Sequence, residues 1–339
     1  NKGNGGKVIV WADGATAFKG HIEAKGGAKG GNGGFVETSG KQKLSYDGTV
    51  HTTAALGRTG TLLLDPQDIV IANAAGDITP AAITAALGSN HVVIHTKNGG
   101  MAQNGDITVA NDINYSSGNS LTLLATRHIT ANANIQNAGA GAVNLVAGWD
   151  QTTADPGSAA GTAVNPGSAF NIGAITGLSS SYGNNNGSVF INNAASNIGV
   201  SVGSRHGKTT TAGYNTVLAG GLSNNSWAQI GFFTPLAGGG NTTGDIDVYS
   251  KNNTQLITGA GLSSSTLAFI GHDGSNGAQI GGNISLNVKD LSLSSSDSNT
   301  FTNGDHSDGT LGSQIGHFVF GTPTTAIGNI TVNADNITM

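Results

Sequence analysis

The chain contains no cysteine, few charged residues and few aromatic ones. Without cysteine, neither disulfides nor thiolate metal sites can hold the fold together, so stability has to come from strand ladders and apolar packing. Aromatic residues make up 5% of the 339 residues and charged residues 10%. A nucleic-acid-binding surface needs clustered Lys and Arg with interleaved aromatic side chains. We therefore expect no nucleic-acid partner.

Long hydrophobic runs are also absent. No apolar run approaches the roughly 18 residues that a membrane span needs, and no charged and apolar leader precedes the first predicted strand. We therefore predict no membrane insertion. Because the sequence opens inside what already reads as a repeat, we interpret it as a segment of a longer protein.

The residues that are present favour strands and turns. Glycine contributes 55 residues, and Asn, Ser, Thr and Ala fill most of the remainder. This composition is poor in helix formers and rich in turn formers. Short apolar clusters recur along the whole length, each bounded by Gly or Asn, as at Val8–Val10, Leu62–Leu64 and Val92–Ile94. Many short strands joined by tight turns are predicted, rather than disorder.

Two sets of repeats divide the chain. Near the start, three glycine-led strands begin 27 residues apart: Gly6–Val10, Gly33–Glu37 and Gly60–Leu64. Toward the end, a second motif recurs after 40 and then 45 residues: Ala228–Gly231, Ala268–His272 and Ser313–His317. A unit of this length cannot bury its own apolar face and has to stack on its neighbours. We expect each longer unit to contain two coils of about 20 residues.

These repeats predict an all-β chain folded as a right-handed parallel β-helix, or β-solenoid. We interpret residues 1–339 as a single elongated body of about 13 to 16 coils, roughly 60 to 80 Å long at about 4.8 Å per coil. Apolar residues alternate with polar ones in the strands, which predicts two inward columns. Their expected members are Ile246, Ile284 and Ile330 in one and Val248, Leu286 and Val332 in the other.

Two segments depart from the strand pattern. Thr79–Gly88 reads as a short helix with Thr79 as its N-cap, Pro80 at its first position and Gly88 at its end. Residues 66–104 are therefore predicted to be an excursion that packs on the side of the solenoid. Residues 150–187 contain two prolines and many Gly, Ser and Asn residues, which indicates an irregular, loop-rich insertion.

Two motifs resemble those of a known family. Gly33–Lys41 and Gly60–Pro66 are close to the GGFVETSGK and LLDP signatures of filamentous haemagglutinin-like exoproteins of two-partner secretion systems, which include high-molecular-weight adhesins of Gram-negative bacteria. Gln314–His317 is similar to the AQIGHGG-type repeats of the same group. The resemblance covers the N-terminal quarter well and the C-terminal third in outline.

The resemblance implies a right-handed parallel β-helix that is secreted through an outer-membrane partner pore and acts in adhesion at the bacterial cell surface. The family's N-terminal secretion domain is missing from this sequence, so recognition of the pore is expected to depend on a domain upstream in a longer protein. The implied partners are host glycans or surface proteins.

No catalytic residue, cofactor or metal ligand is predicted, although two groups could suggest one. Asp245 and Asp247 lie on one strand face, but the corresponding residues of the neighbouring repeats are Asn, Ser and Thr rather than acids, which argues against paired-carboxylate chemistry. His272 and His317 share a register 45 residues apart. Interpreted as two coils, that interval places them too far apart to share a metal ion.

Candidate modification and contact residues can also be named. Some high-molecular-weight adhesins carry hexoses on Asn-x-Ser/Thr asparagines, so the resemblance suggests eight possible glycosylation sites: Asn114, Asn186, Asn224, Asn241, Asn252, Asn283, Asn329 and Asn336. Composition alone generates this triplet in a chain so rich in Asn, Ser and Thr. Three aromatic residues are possible ligand contacts: Tyr182, Tyr214 and Trp227.

The expected function is that of a passenger segment of a secreted adhesin, which binds host or neighbouring-cell glycans or proteins. One alternative is a structural stalk or filament that spaces a distal tip, or a segment of a contact-dependent toxin carrier. Another is capture of a haem carrier, for which residues 150–187 are the candidate loop. A carbohydrate-active β-helix enzyme is the less favoured alternative, since it would need a groove with clustered acids.

Overall fold

The structure, a computed structural model, describes residues 1–96, 104–149, 182–192, 199–221, 226–234, 240–258, 267–275, 279–294, 312–320 and 325–339. Within these ranges nearly every regular element is a strand that pairs in parallel with a strand one coil away. The predicted all-β parallel β-helix with one short helix is confirmed. None of the helices in these ranges has the length and apolar character that a membrane crossing requires.

Most coils contain three strands, and strands at equivalent positions in successive coils form three faces. In the described part of the chain the first face has ten parallel segments: β1 Lys7–Ala12, β4 Phe35–Gly40, β7 Thr61–Asp65, β9 His91–His95, β12 Leu121–Ala125, β15 Val143–Ala147, β18 Thr209–Gly213, the first halves of β21 Ile246–Ile257 and β25 Ile284–Ser294, and β29 Ile330–Asn333. Ten rungs span about 43 Å at about 4.8 Å each. The predicted length and number of coils are therefore too large.

The second face continues from the first around a corner. It contains β2 Ala15–Phe18, β5 Lys43–Tyr46, β8 Ile69–Ile71, β10 Ile107–Val109, β13 Ile129–Ala131, β16 Val189–Asn192, β19 Thr216–Ala219, the second halves of β21 and β25, and β30 Asn336–Thr338. β21 runs through the corner, pairing with β18 over its first part and with β19 over its last part. Most strands of these two faces therefore belong to one 16-stranded sheet.

Each of the longer C-terminal units is one coil, so the prediction of two coils per unit is wrong. β21 and β25 each supply two faces of a single coil. Additional residues form strand pairs outside the three faces: β23 Asp273–Ser275 with β27 Phe318–Phe320, and β24 Gln279–Gly281 with β28 Thr325–Ile327.

The third face contains β3 His21–Glu23, β6 Thr49–His51, β11 Ile113–Tyr115, β14 Ile135–Asn137, β17 Val200–Ser204, β20 Ala228–Ile230, β22 Ala268–Ile270 and β26 Ser313–Ile315. The α-helix α1, Pro80–Leu87, contacts both β6 and β11 and takes the place of a strand between them. Its Ile83 and Leu87 are fully buried in the same core as the strands. This apolar stripe makes the helix a rung of the third face.

The predicted excursion over residues 66–104 is therefore corrected. β8 and β9 both fall inside that range and both belong to the 16-stranded sheet. Among the described residues of this range, most of the backbone between these two strands leaves the sheet, and the helix within it occupies the third face of the same coil. The excursion was expected on the side of the solenoid because the sequence pattern gives the helix but not the surface on which it packs.

The core consists of inward columns of apolar side chains. The expected correspondence of Ile246 with Ile284 and Ile330 is confirmed by the strand register, as is that of Val248 with Leu286 and Val332. In the first repeats the equal spacing of 27 residues resolves into intervals of 28 and 26, because Val8 pairs with Val36 and Val36 with Leu62. The one-residue adjustment keeps each apolar side chain on the inner face.

A second apolar cluster lies on the outer side of the first face. Leu63, Val93, Leu124, Val146 and Ala212 are buried there, together with Phe35, Trp149 and Tyr182; we call this set the outer stripe. Trp149 packs edge-on against His95, with ring centroids 5.2 Å apart. Tyr182 packs on Tyr249 at 6.3 Å. Both chain ends that flank residues 150–181 are thus anchored on this stripe.

Candidate binding cleft on the third face

A cleft of about 370 Å³ opens across four successive coils of the third face. Its lining residues come from β11, the vicinity of β14, the turn after β17 and the segment after β20: Asn114, Tyr115, Asn134, Gln136, Ala138, Arg205, Phe232, Phe233 and Thr234. Ligand clefts in proteins typically measure roughly 300 to 1,000 Å³ and combine aromatic side chains with a few placed polar groups. The size and lining of this cleft meet that description.

Gln136 holds the inner wall of the cleft in place. Its side chain is outward on β14, where the aligned residues of the next two coils are Gly203 and Gly231. A Cβ atom on Gly203 would lie 2.3 Å from the carbonyl carbon of Gly231, so only glycine fits. Across this glycine shelf, Gln136 Nε2 donates to the Gly231 carbonyl at 3.2 Å and its Oε1 accepts the Phe233 N–H at 2.9 Å.

The opposite side of the Phe232–Thr234 segment is fixed by the following coil. The Phe232 N–H donates to His272 Nδ1 at 2.9 Å, and the Thr234 N–H donates to Asp273 Oδ1 at 2.7 Å. Burial lowers the pKa of His272 to about 4 and raises the pKa of Asp273 to about 7. The segment is therefore held on both sides, which makes the cleft wall a fixed surface.

Aromatic rings and a guanidinium group line the outer part of the cleft. Phe233 is half-buried and packs against Trp227, with ring centroids 4.8 Å apart. Arg205 lies over the ring of Phe232 at 5.8 Å, and its Nε donates to the carbonyl of Asn241 at 3.1 Å. Because the guanidinium is held in this way, its position relative to the rings is set before any ligand arrives.

The three aromatic residues named from the sequence have different positions. Trp227 supports the cleft, because it packs against Phe233 and its Nε1–H donates to Ser201 Oγ at 2.9 Å. Tyr182 is only 9% exposed and belongs to the outer stripe rather than to a free surface. Tyr214 is half-buried after β18 and does not line the cleft.

Sequence reasoning did not find the principal cleft residues. Gln136 and Phe233 are 97 positions apart, and no motif connects them. The one available signal was the Ile-Gly pair that recurs in the C-terminal motif. In its first copy, Gly231 has φ +149°, and the residues that follow it turn away from the sheet. The Ile-Gly pair predicts where the chain turns a corner. It does not predict which earlier coil the residues after Gly231 contact.

Three of the eight candidate glycosylation asparagines, Asn241, Asn283 and Asn329, lie on polar ladders along the corners. In these ladders, a side-chain oxygen of one coil accepts a backbone N–H of the next: Asp245 Oδ1 accepts from Asn283 at 2.8 Å, and Asn283 Oδ1 from Asn329 at 3.1 Å. Asn241 Oδ1 likewise accepts from Gln279 at 2.9 Å. This pairing satisfies backbone groups that turn away from the strands, which gives the abundance of Asn a structural reason.

The side-chain amides of the candidates differ in availability. Asn252 and Asn336 donate Nδ2 to neighbouring side chains at 2.9 and 2.6 Å. Amide donation is longer for Asn114 and Asn283, at 3.5 and 3.3 Å. Within the described ranges the structure records no such donation from three exposed candidates, which are Asn186, Asn241 and Asn329. Asn224 lies outside the described residues.

Neither the paired acids nor the stacked histidines form an open reactive site. Asp247 pairs with Lys208, whose Nζ lies 2.6 Å from Oδ2, while Asp245 belongs to the ladder described above. His272 and His317 are in adjacent coils, with rings stacked 5.3 Å apart, so their expected separation by two coils is wrong. Each ring accepts a backbone N–H at Nδ1 and contacts a backbone carbonyl at Nε2, which occupies both nitrogens.

One group of side chains in the described part of the chain brings metal-ligating atoms together: His21, Glu23 and His51 on β3 and β6. On the third face, the α1 coil lies between β6 and β11, the first strand that lines the cleft. No metal ligand was predicted there from sequence, because the residues belong to neighbouring coils and only the register between β3 and β6 brings them together.

Most of the predicted irregular insertion, residues 150–187, falls outside the described residues. The described part comprises Tyr182 and a 3₁₀ helix, Asn184–Asn186, whose Asn184 N–H donates to the Gly148 carbonyl. Any role of that segment in capture of a partner stays a prediction. No family model matches the chain, and no curated protein matches it significantly.

Proposed function

We propose that this chain is a surface-exposed segment of a secreted bacterial adhesin and that it binds glycans in the cleft on the third face. The observation that carries the proposal is the joint lining by the half-buried Phe233, the held guanidinium of Arg205 and the amides of Asn114, Asn134 and Gln136. Apolar sugar faces pack on aromatic rings, whereas hydroxyl groups need both donors and acceptors. The motif resemblance supports the same class of function.

The fold supports recognition rather than catalysis. Asp245 and Asp247 are the acids whose sequence positions could suggest paired-carboxylate catalysis. Asp245 belongs to a corner ladder, and Asp247 forms an ion pair with Lys208. A rigid lateral cleft needs no closing movement and loses little conformational entropy when a ligand binds. We therefore propose a non-enzymatic binding role, with Arg205 favouring glycans that carry a carboxylate.

A glycan and host-protein array tests this proposal with matched variants. The intact chain is expected to retain a defined subset of glycans, with affinity reduced at least tenfold in Phe233→Ala and in Arg205→Met. Tyr214→Ala, which changes a half-buried aromatic outside the cleft, serves as the control and should retain binding. Loss of binding in all three variants, or in none of them, would contradict the assignment to the cleft.

A structural stalk is the second candidate, and the corner ladders favour it. Consecutive hydrogen bonds such as Asp245 to Asn283 to Asn329 stiffen the body along its axis. If the intact chain binds no glycan and no host protein on the array, this spacing role replaces the binding role. Secretion and surface location belong to both proposals.

A further inference from the structure

His21, Glu23 and His51 form a compact group on the outer side of the third face. β3 and β6 pair in parallel, with His21 opposite Thr49 and Glu23 opposite His51. Ile22 and Val50, the residues between them, face the core. The alternation of a strand therefore presents His21, Glu23, Thr49 and His51 together on the outside.

Two distances within this group are close to those between the ligands of a tetrahedral metal site. His21 Nε2 lies 3.1 Å and His51 Nδ1 3.4 Å from Glu23 Oε1. Ligands at about 2.0 to 2.1 Å from a tetrahedral zinc ion are about 3.3 to 3.4 Å apart. A ring nitrogen of His21 and one of His51 also lie within 4.8 Å of each other. A small rotation of exposed side chains closes that distance.

Thr49 orients the first histidine. His21 Nδ1 lies 2.7 Å from Thr49 Oγ1. A hydroxyl group can donate to this nitrogen or accept from it, so it supports either tautomer. With a metal on Nε2, the proton resides on Nδ1 and is donated to Thr49, the second-shell arrangement typical of metal-bound histidine.

Lys25 is the group that a metal ion would displace. Its Nζ lies 2.8 Å from Glu23 Oε1, with both side chains more than two-fifths exposed. Exposed ion pairs of this kind contribute little and are screened by salt. The carboxylate is therefore held beside the histidines by an interaction that a divalent cation can replace.

We propose that His21 Nε2, Glu23 Oε1 and His51 Nδ1 bind one divalent transition-metal ion, with Zn²⁺ as the fitting class. Two imidazoles and one carboxylate are a zinc ligand set that leaves a fourth position open. Because the group faces outward, that position is accessible to water or to a ligand group from another molecule. The site is independent of the cleft and of the proposed function.

Titration calorimetry with Zn²⁺ on protein free of any affinity tag tests the proposal. We expect one ion per chain, with affinity lowered at least tenfold in His51→Ala and in Glu23→Gln, and raised several-fold in Lys25→Met. His206→Ala is the matched control, because His206 is also exposed and its Nδ1 also contacts a threonine, Thr243, at 3.1 Å. That variant should bind zinc like the unchanged chain.

Equal zinc binding by the unchanged chain and by a His21→Ala/His51→Ala double variant would overturn the assignment, as would the absence of binding. A second measurement identifies the ligands directly, so that loss of zinc binding in a variant is not confused with loss of the fold. Electron paramagnetic resonance of Cu²⁺ in the chain should show coupling to two imidazole nitrogens, reduced to one in His51→Ala. Circular dichroism and thermal unfolding verify that the variants keep the fold.

Discussion

Two threonines on β18 have inward side chains with different hydrogen-bond states. Thr209 and Thr211 are both fully buried. Thr209 Oγ1 accepts the backbone N–H of Ser204 at 3.0 Å. Thr211 lies between Leu145 and Val248 in the core register, and no described group pairs with its hydroxyl. A buried hydroxyl without a partner destabilises the folded state.

Thr211→Val should therefore raise the free energy of unfolding by about 1 to 2 kcal/mol, since it replaces an unpaired hydroxyl with a methyl group. Thr209→Val should lower it by about 1 to 3 kcal/mol, because it leaves the Ser204 N–H without its acceptor. Equilibrium denaturation in urea measures both. Changes of the same sign in the two variants would contradict this account of the strand.

His272 and Asp273 are adjacent residues that make the stability of the fold depend on pH in opposite directions. The pKa of His272 falls from 6.5 to about 4 through burial, so stability is lost as the pH falls from about 6.5 toward 4. Burial raises the pKa of Asp273 from 3.8 to about 7, partly opposed by the Thr234 N–H, so stability is lost as the pH rises from about 4 to 7. The two effects offset each other between pH 4 and 6.5.

Asp273→Asn should remove one side of this balance. The amide can still accept the Thr234 N–H but no longer titrates, so the stability of the variant relative to the unchanged chain should increase as the pH rises from about 4 to 7. The slope is at most about 1.4 kcal/mol per pH unit. Unfolding free energies measured across this range decide the matter. A difference that does not vary with pH would show that Asp273 titrates normally.

At the scale of the element, α1 shows most clearly what a local sequence pattern predicts. The pattern predicted the position of the helix in the chain but not the surface on which it packs. The N-cap was predicted from Thr79, and Thr79 Oγ1 accepts the Ala82 N–H at 3.1 Å. The helix ends before Gly88, as expected, although Gly88 has a right-handed φ of −64°. Local chemistry therefore determines where the helix lies in the chain, whereas its place in the third face depends on which coils it contacts.

Ile83→Ala tests whether α1 is a rung of the core. Ile83 is fully buried with the strand side chains, so truncation should lower the free energy of unfolding by about 2 to 5 kcal/mol. Thr84→Ala, on the half-buried side of the same helix, should change it by less than about 1 kcal/mol. If the helix were an excursion, both substitutions would have small effects.

Strand elements were predictable to the extent that their pattern is local. The inward positions Ile246, Ile284 and Ile330 follow from alternation, and the register bears them out. The number of coils does not follow from alternation. β21 continues around a corner, so a long unit that forms one coil was interpreted from the sequence as two short coils. The cleft and the His21–Glu23–His51 group depend on register between coils, which alternation within a strand does not specify.

At the scale of the whole molecule, each coil is stabilised mainly by its two neighbours. Leu121 and Leu123 in the middle of the first face are fully buried, whereas Ile330 and Ile337 in the last described coil are 53% exposed. In a stacked array, stability is the sum of coil and interface contributions. A coil with one neighbour lacks one interface, so it should open more readily than a central coil.

Hydrogen exchange should therefore be graded along the axis. Backbone amides of β12 and β15 should exchange slowest, and those of β1, β29 and β30 should exchange fastest, since the latter strands pair on only one side within the described chain. Leu123→Ala should accelerate exchange in both flanking coils, whereas Ile330→Ala should affect only the coils next to β29. Mass spectrometry of peptic peptides measures this. Uniform exchange with uniform acceleration would mean that the solenoid opens as a single unit, and nearest-neighbour stacking would then not describe its stability.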